Sequence, residues 1–384
     1  MKASYTLITL LVIFVPTLGF AQQDEVEGRN TDSVKIQIVP YGSFRGHFAL
    51  LNEQLEIQEN GSRVGIELSV HQGKIRYFTG VELGINLFRS AQFLNADANT
   101  NSGFIRFGES QNLQVFSTRL GYLGADFGRY GVVTIGKQWG VFYDITGYTD
   151  HFNVFGGQGS ATYVANSDGG DTGTGRANQA LTYRNTLGPI SFGGQLQMRS
   201  IVNGYLLDGF GVSAQFAFWD HFKAGAAYNK SYYDDFFVDN TLGMGGQPEY
   251  LALGISYSSD ILELGGVFSR HTNGDLTRSL VEDELIATVF DAEGFELFGK
   301  FKKPKYSILA GFNGYFPDVE GLPVSQEFKR QFYMIGAEYK PSRFAYFYAE
   351  YRYGKGINSF GIEALDVFTL GLRLDFSRAW EKWL

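Results

Sequence analysis

Phe368, Leu370, Leu372, Leu374 and Phe376 alternate with Thr369, Gly371, Arg373 and Asp375. Successive side chains of a strand point to opposite faces, so this segment has one wholly apolar face and one polar, charged face. The pattern begins at residue 34. There Val34, Ile36, Ile38, Phe44, Phe48 and Leu50 share one face, while Lys35, Gln37, Tyr41, Ser43, Arg45 and His47 share the other. Sixteen such segments can be read, near 34–50, 61–72, 74–88, 113–127, 130–138, 176–186, 189–200, 208–219, 221–231, 249–259, 261–270, 293–302, 305–316, 330–340, 343–353 and 366–376. Seven short turns, at Gly73, Gly128-Arg129, Gly188-Pro189, Asp220, Asp260, Pro304 and Pro341, alternate with eight longer connections. Among the latter are 89–112, 139–175, 232–248 and 271–292. An even number of antiparallel strands with short turns at one end and long loops at the other closes into a barrel. Closure removes the sheet edges and pairs every backbone group, as a bilayer requires. The expected fold class is therefore all-β, a 16-stranded antiparallel transmembrane β-barrel. A soluble sandwich or propeller would alternate too, but would not normally combine such apolar faces with a strict short–long loop rhythm. Aromatics at segment ends (Trp219 with Phe222, Tyr232-Tyr233, Tyr315-Phe316, Tyr351 with Tyr353) match the girdles of membrane barrels.

Composition agrees where it bears on this. Hydrophobic residues are 44%, an ordinary soluble value that suits a barrel whose strands bury only one face in lipid. With 49 Gly, 35 Phe and 23 Tyr against 8 Pro, strands and tight turns are favoured over helices. The formal net charge of −8 argues against nucleic acid as a partner. There are no cysteines, which excludes disulfides and thiolate chemistry. The N-terminus reads as an export signal. Lys2 precedes the apolar run Leu7 to Val15, Pro16 and Gly19 break it, and Gly19-Phe20-Ala21 forms a cleavage site before Gln22. The expected organisation is a signal peptide over 1–21, a flexible acidic lead over 22–33, the barrel over 34–376 and a C-terminal extension over 377–384. The five histidines are scattered, and none lies in a metal or nucleophile motif. No catalytic residue, metal or cofactor is expected. His151, beside Asp150, is the only histidine placed for chemistry.

The connection from Trp139 to Gly175 is the longest and the richest in glycine. No helical period follows it, so a phosphate-binding loop is not expected. It carries a run of residues that resembles a known family. Thr118-Arg119-Leu120-Gly121, Gly136-Lys137-Gln138-Trp139-Gly140-Val141-Phe142-Tyr143-Asp144, Gly147-Tyr148-Thr149-Asp150, Phe155-Gly156-Gly157 and Leu181-Thr182-Tyr183-Arg184-Asn185 occur in order. So do Tyr41-Gly42, Ser62-Arg63-Val64-Gly65 and Gly371-Leu372-Arg373-Leu374-Asp375-Phe376. The chain in this respect resembles the general bacterial porins, the trimeric diffusion channels of Gram-negative outer membranes. That resemblance implies an inward-folded third extracellular loop that narrows a water-filled pore. It implies passage of small hydrophilic solutes and ions, a homotrimer, and outer-membrane lipid and lipopolysaccharide as surroundings. A substrate-specific channel for a sugar or anion is the alternative, with Tyr346 and Tyr348 as the start of an aromatic track.

Carried over by position, the constriction wall would be Arg63, Lys137 and Arg176, with Arg45 joining it where Ser43 holds the family's own cation position. Asp150 would be the opposing loop acid. Val154 stands where the family has a glutamate and Gln158 where it has an aspartate, while Asp168 and Asp171 come with a lengthened loop. Arg119 and Arg184 are expected to face the lumen and pair with Asp144 or Asp168, anchoring the loop. Phe376 fits the family's terminal aromatic.

Overall fold

The computed structural model of the 384-residue chain describes residues 34–51, 53–88, 115–166, 168–198, 205–235, 238, 245–281 and 284–383. The expected signal peptide, the N-terminal lead and the connection 89–112 lie outside the described residues. Eighteen strand segments form one antiparallel sheet closed on itself. In chain order the first nine are β1 (Val34–Leu51), β2 (Gln54–Glu59), β3 (Arg63–Gln72), β4 (Ile75–Ile85), β5 (Phe116–Asp126), β6 (Val132–Trp139), β7 (Arg176–Leu187), β8 (Ile190–Gln197) and β9 (Gly209–Phe218). The rest are β10 (Phe222–Ser231), β11 (Glu249–Ser258), β12 (Leu262–Val281), β13 (Glu284–Lys302), β14 (Tyr306–Asp318), β15 (Lys329–Tyr339), β16 (Ala345–Ile357), β17 (Val367–Ser377) and β18 (Trp380–Trp383).

β1 closes the barrel by pairing β17 from Tyr41–Ser377 to Leu50–Phe368. Its other edge pairs β3 and then β2, which are one stave interrupted at Asn60–Ser62. Ser62 bridges the interruption: its hydroxyl accepts the Arg45 N–H at 2.8 Å and donates to the Arg45 carbonyl at 3.0 Å. The closing stave also runs on. β18 pairs β1 from Ile38–Trp380 to Lys35–Trp383, in the register already set by β17. The break between them falls opposite Pro40, which has no N–H to give. The Arg378 N–H still reaches the Pro40 carbonyl at 3.2 Å. Residues of the C-terminal extension thus lengthen the closing ladder. Counted by stave, the barrel has sixteen strands.

All seven expected short turns join consecutive strands. Gly73, Gly128 and Gly188 take left-handed φ values near +60° there, a conformation that favours glycine. One expectation fails. The stretch 271–292 is not a loop, because β12 and β13 stay paired out to Val281–Glu284 across a register shift between His271 and Asp275. His-Thr-Asn-Gly-Asp has the composition of a turn, and Asn273 has a positive φ of 48°, but the chain uses it as a bulge.

The even–odd pattern becomes an outside and an inside. Phe368, Leu370, Leu372, Leu374 and Phe376 are exposed on the outer face, whereas Thr369 between them is buried. Exposed Leu, Ile, Val and Phe recur around the whole circumference, as a lipid-facing surface requires. Aromatics collect at the short-turn end, with Tyr306 stacked on Tyr339 at 5.0 Å and Phe218 on Phe222 at 5.6 Å. Two buried apolar clusters lie inside the barrel, where side chains of residues 142–161 meet the inner wall.

Candidate functional site

The segment between β6 and β7 folds into the lumen. It contains one short helix, α1 (Tyr143–Thr146), and a 3-10 turn over Ala161–Asn166. Trp139 stacks on Tyr143 at 4.1 Å where the chain leaves the wall. Phe142 and Ile145 are then buried against Ala227, Tyr250 and Ala252. Val154 and Phe155 are buried against Ala49, Leu51, Met334, Tyr348 and Val367. The loop therefore packs on several faces of the barrel, and apolar burial holds it down.

A row of glycines makes room for it. Gly225, Gly254, Gly265, Gly294 and Gly311 occupy lumen-facing positions on five consecutive strands, β10 to β14. Ile145 and Tyr148 lie over Gly225 and Gly254, and Phe152 over Gly311. At Gly265 and Gly294 a Cβ would overlap the carbonyl oxygens of Tyr148 and Gly159, so the loop backbone can rest on the wall only where the wall has no side chain.

Two buried wall carboxylates take the loop's backbone N–H groups. Glu296 of β13 accepts from Gly159 at 2.8 Å, from Ser160 at 2.6 Å and from the Thr149 hydroxyl. Glu350 of β16 accepts from Asn153 at 2.7 Å, Val154 at 2.9 Å and Phe155 at 3.4 Å. The Asn153 side chain adds a bond of 3.1 Å to Glu338. Sequence reasoning missed this seat. Its only trace is acids and glycines at lumen-facing positions of strands that are otherwise ordinary.

The acids of the loop have separate tasks. Asp150 accepts the hydroxyls of Tyr143 at 3.0 Å and Tyr163 at 2.9 Å. Burial, reinforced by the Asp150 carboxylate, pushes both phenols well above the ordinary tyrosine value, so both remain donors. Asp144 meets Arg184 at 3.1 Å and accepts the Ser213 hydroxyl at 2.9 Å, while Arg184 also donates to the Trp139 carbonyl at 2.9 Å. Asp168 meets Lys137 at 2.6 Å and Arg176 at 3.4 Å. Burial raises the Asp168 carboxyl, but Arg176 and Lys137 outweigh it and hold the group below its usual value.

Cations line the facing wall. Arg63 and Arg119 share Glu82, at 4.0 and 2.8 Å. Arg45 stands directly opposite Arg373 across the β1–β17 pair. Arg373 meets Asp375 at 2.7 Å, whereas Arg45 donates to the Ser43 hydroxyl at 2.7 Å, which itself donates to Asp375 at 2.6 Å. A cavity of about 490 Å³ beside this wall carries four arginines (Arg63, Arg119, Arg343 and Arg373) against two carboxylates, Glu82 and Asp375. The imbalance makes the passage electropositive at this level.

The structure therefore joins Arg184 to Asp144 but takes Arg119 elsewhere. The register between β4 and β5 shifts after Glu82, which leaves Arg119 outside the regular ladder and against that glutamate rather than Asp144 or Asp168. Val154 and Gln158 are buried, at 4% and 2% exposure, so neither lines the passage. Tyr348 is also buried, with its hydroxyl bound by Asn60 at 2.8 Å, and offers no open aromatic track with Tyr346. His151 is exposed beside Phe298 at 5.0 Å, while Asp150 is engaged by the two tyrosines. Among the described residues no three acids or histidines gather as a metal site.

A closed antiparallel barrel with an apolar outer face and a loop seated inside a charged lumen defines an outer-membrane barrel of the pore-forming kind. A model of Gram-negative porins matches residues 51–359, and the chain belongs to that family. It is an outer-membrane protein. Outer membrane protein S2 of Salmonella typhi is 31% identical over 208 residues, covering 47% of this chain and 50% of that protein. Outer membrane porin N of Escherichia coli (strain K12) is 31% identical over 175 residues, covering 41% and 45%. The chain spans about half the length of the curated relatives it matches. Among solved structures, Salmonella typhi OmpF in complex with daunomycin superposes with a TM-score of 0.69 at 18% identity, over 91% of this chain and 100% of that one. An anion-selective porin from Comamonas acidovorans gives 0.63 at 14% identity, over 89% and 100%. At those identities the likeness is one of fold.

Proposed function

We propose that this barrel is a water-filled channel for passive diffusion of small hydrophilic solutes and ions across the outer membrane. The observation that carries the reading is the loop fixed inside the lumen by Glu296, Glu350 and the glycine row, opposite a wall of arginines. A fixed loop narrows the passage without plugging it by chance collapse, and the arginines set the field at the neck. In this reading Arg45, Arg63, Lys137, Arg176 and Asp150 belong to the constriction, and Arg184 with Asp144 anchors the loop. Arg119 and Arg373 add to the wall, with Glu82 and Asp375 as their counter-charges. Because Asp168 occupies both Lys137 and Arg176, the free positive field comes mainly from the Arg45–Arg63–Arg373 side. The channel is weakly cation-selective at most, or leans toward anions.

The assembly is a homotrimer of separate pores embedded in outer-membrane lipid and lipopolysaccharide. Family membership supports this, as does the trimer form of Vibrio cholerae OmpT, a structure of the same fold. The reading is a channel and not an enzyme. Planar-bilayer recording tests it: large ohmic steps are expected, in threefold groups. A silent protein that folds correctly, judged by strand-dominated circular dichroism and heat-modifiable gel mobility, would overturn it.

A further inference from the structure

Ser269, His271 and Asp275 lie together on β12, each at most 1% exposed. His271 Nδ1 is 2.6 Å from Asp275 Oδ2, and Nε2 is 3.0 Å from Ser269 Oγ. These are the residue types and contacts of a nucleophilic serine array. The difference is the fourth member. Ser269 Oγ is also 3.3 Å from the carbonyl oxygen of Gly159, the loop residue that rests on Gly294.

We infer that His271 is a positioning residue for the inward loop, acting through Ser269, and that it carries its hydrogen on Nε2. The reason is a count of hydrogens. A carbonyl oxygen can only accept, so the single hydroxyl hydrogen of Ser269 must point at Gly159 for that contact to be a bond. Ser269 Oγ is then free only to accept, and Nε2 must donate to it. In a nucleophilic array the order is reversed: Nε2 is bare, takes the serine hydrogen and leaves the serine nothing to donate.

Charge leads to the same assignment. With hydrogen on Nε2 and another between Nδ1 and Asp275, the histidine–aspartate unit carries no net charge. With Nε2 bare it would be a net anion at zero exposure, which is costly. Among the described residues, Asp275 Oδ1 has no hydrogen-bond partner to offset that charge. Tyr250 of β11 and Tyr315 of β14 stand with their rings 6.0 and 6.3 Å from the imidazole, and the Tyr315 hydroxyl donates to Asp275 Oδ2 at 2.8 Å. Glu296 of β13 is engaged by the loop N–H groups, and Arg330 of β15 stands opposite Tyr315. Gly159 is thus held at both ends, its N–H by Glu296 and its carbonyl by Ser269.

The inference rests on the channel reading for its electrical test but not for its spectroscopic one. In refolded, ¹⁵N-histidine-labelled protein, the His271 signal is identified by its loss in His271→Gln. It should show a hydrogen directly bonded to Nε2, and a bare Nε2 would overturn the assignment. In single-channel recordings Ser269→Ala and His271→Leu should each raise the frequency of brief closures by about three- to tenfold, the effect of losing one hydrogen bond. His271→Gln keeps an N–H donor and should stay near the native frequency. Ser269→Ala retains the histidine and its neighbours. If it folds, conducts and gates like the native channel, the positioning role is wrong while the channel reading stands.

Discussion

A single oxygen, Oε1 of Glu296, accepts the backbone N–H groups of both Gly159 and Ser160, at 2.8 and 2.6 Å. Removing the side chain leaves two buried donors without a partner, at a cost of about 1–3 kcal/mol each. Glu296→Ala is therefore expected to lower the unfolding temperature and to make single-channel current noisy. Glu296→Gln keeps one acceptor oxygen and should be much milder. Equal effects of the two variants in thermal melts and current-noise spectra would contradict the seat described for the loop.

Gly294 gives a steric counterpart. A methyl group there meets the Gly159 carbonyl, and overpacking of this kind costs about 1–3 kcal/mol. Gly294→Ala should lift the loop and alter conductance. Gly194 is the control: an added methyl group would meet no atom within 4 Å, and Gly194→Ala should leave conductance unchanged.

Asp168 ties the selectivity to pH. Its folded carboxyl lies below the usual value, so the clamp on Lys137 and Arg176 is complete at neutral pH. The stability it contributes is lost as pH falls through that depressed value. Protonation frees Lys137 and Arg176, two cations that the proposed function places at the constriction. Reversal potentials should move toward anions in acid, and Asp168→Asn should show that shift already at neutral pH. A mutant that moves toward cations would refute the clamp.

The C-terminal ladder predicts a stability effect separable from charge. Lys35 meets Glu381 at 2.8 Å at the surface, where water and salt screen the pair. Glu381→Gln should barely change the melt. Deleting residues 379–384 uncovers the Lys35–Ile38 edge of β1 and should lower the heat-modification temperature clearly. Equal melts for the deletion and the native chain would show that β18 adds nothing to the closure.

Much of the barrel was legible because period-two alternation is imposed by lipid on one side and water on the other. Phe368 to Phe376 carried that signal without ambiguity. The bulges did not show. The shift beside Glu82 that redirects Arg119, and the one at His271–Asp275 that keeps β12 paired, depend on the neighbouring strand and leave no trace in the local pattern. The loop's seat was hidden for a related reason. Glu296 and Glu350 serve backbone N–H groups more than a hundred residues away, and a backbone group has no sequence signature. Family position placed Val154 at the constriction, but its packing against Tyr348 and Met334 makes Val154→Glu a burial defect rather than a selectivity change.

Arg63, Arg119, Arg343 and Arg373 outnumber Glu82 and Asp375 around the cavity beside the arginine wall, and the proposed selectivity stands on that imbalance. Reversal potential across a KCl gradient, with the native channel and Arg63→Ser in the same bilayer, measures it directly. The native channel should be weakly cation-selective at most or lean toward anions, and Arg63→Ser should shift toward cations. Strong cation selectivity in the native channel, unmoved by Arg63→Ser, would contradict it.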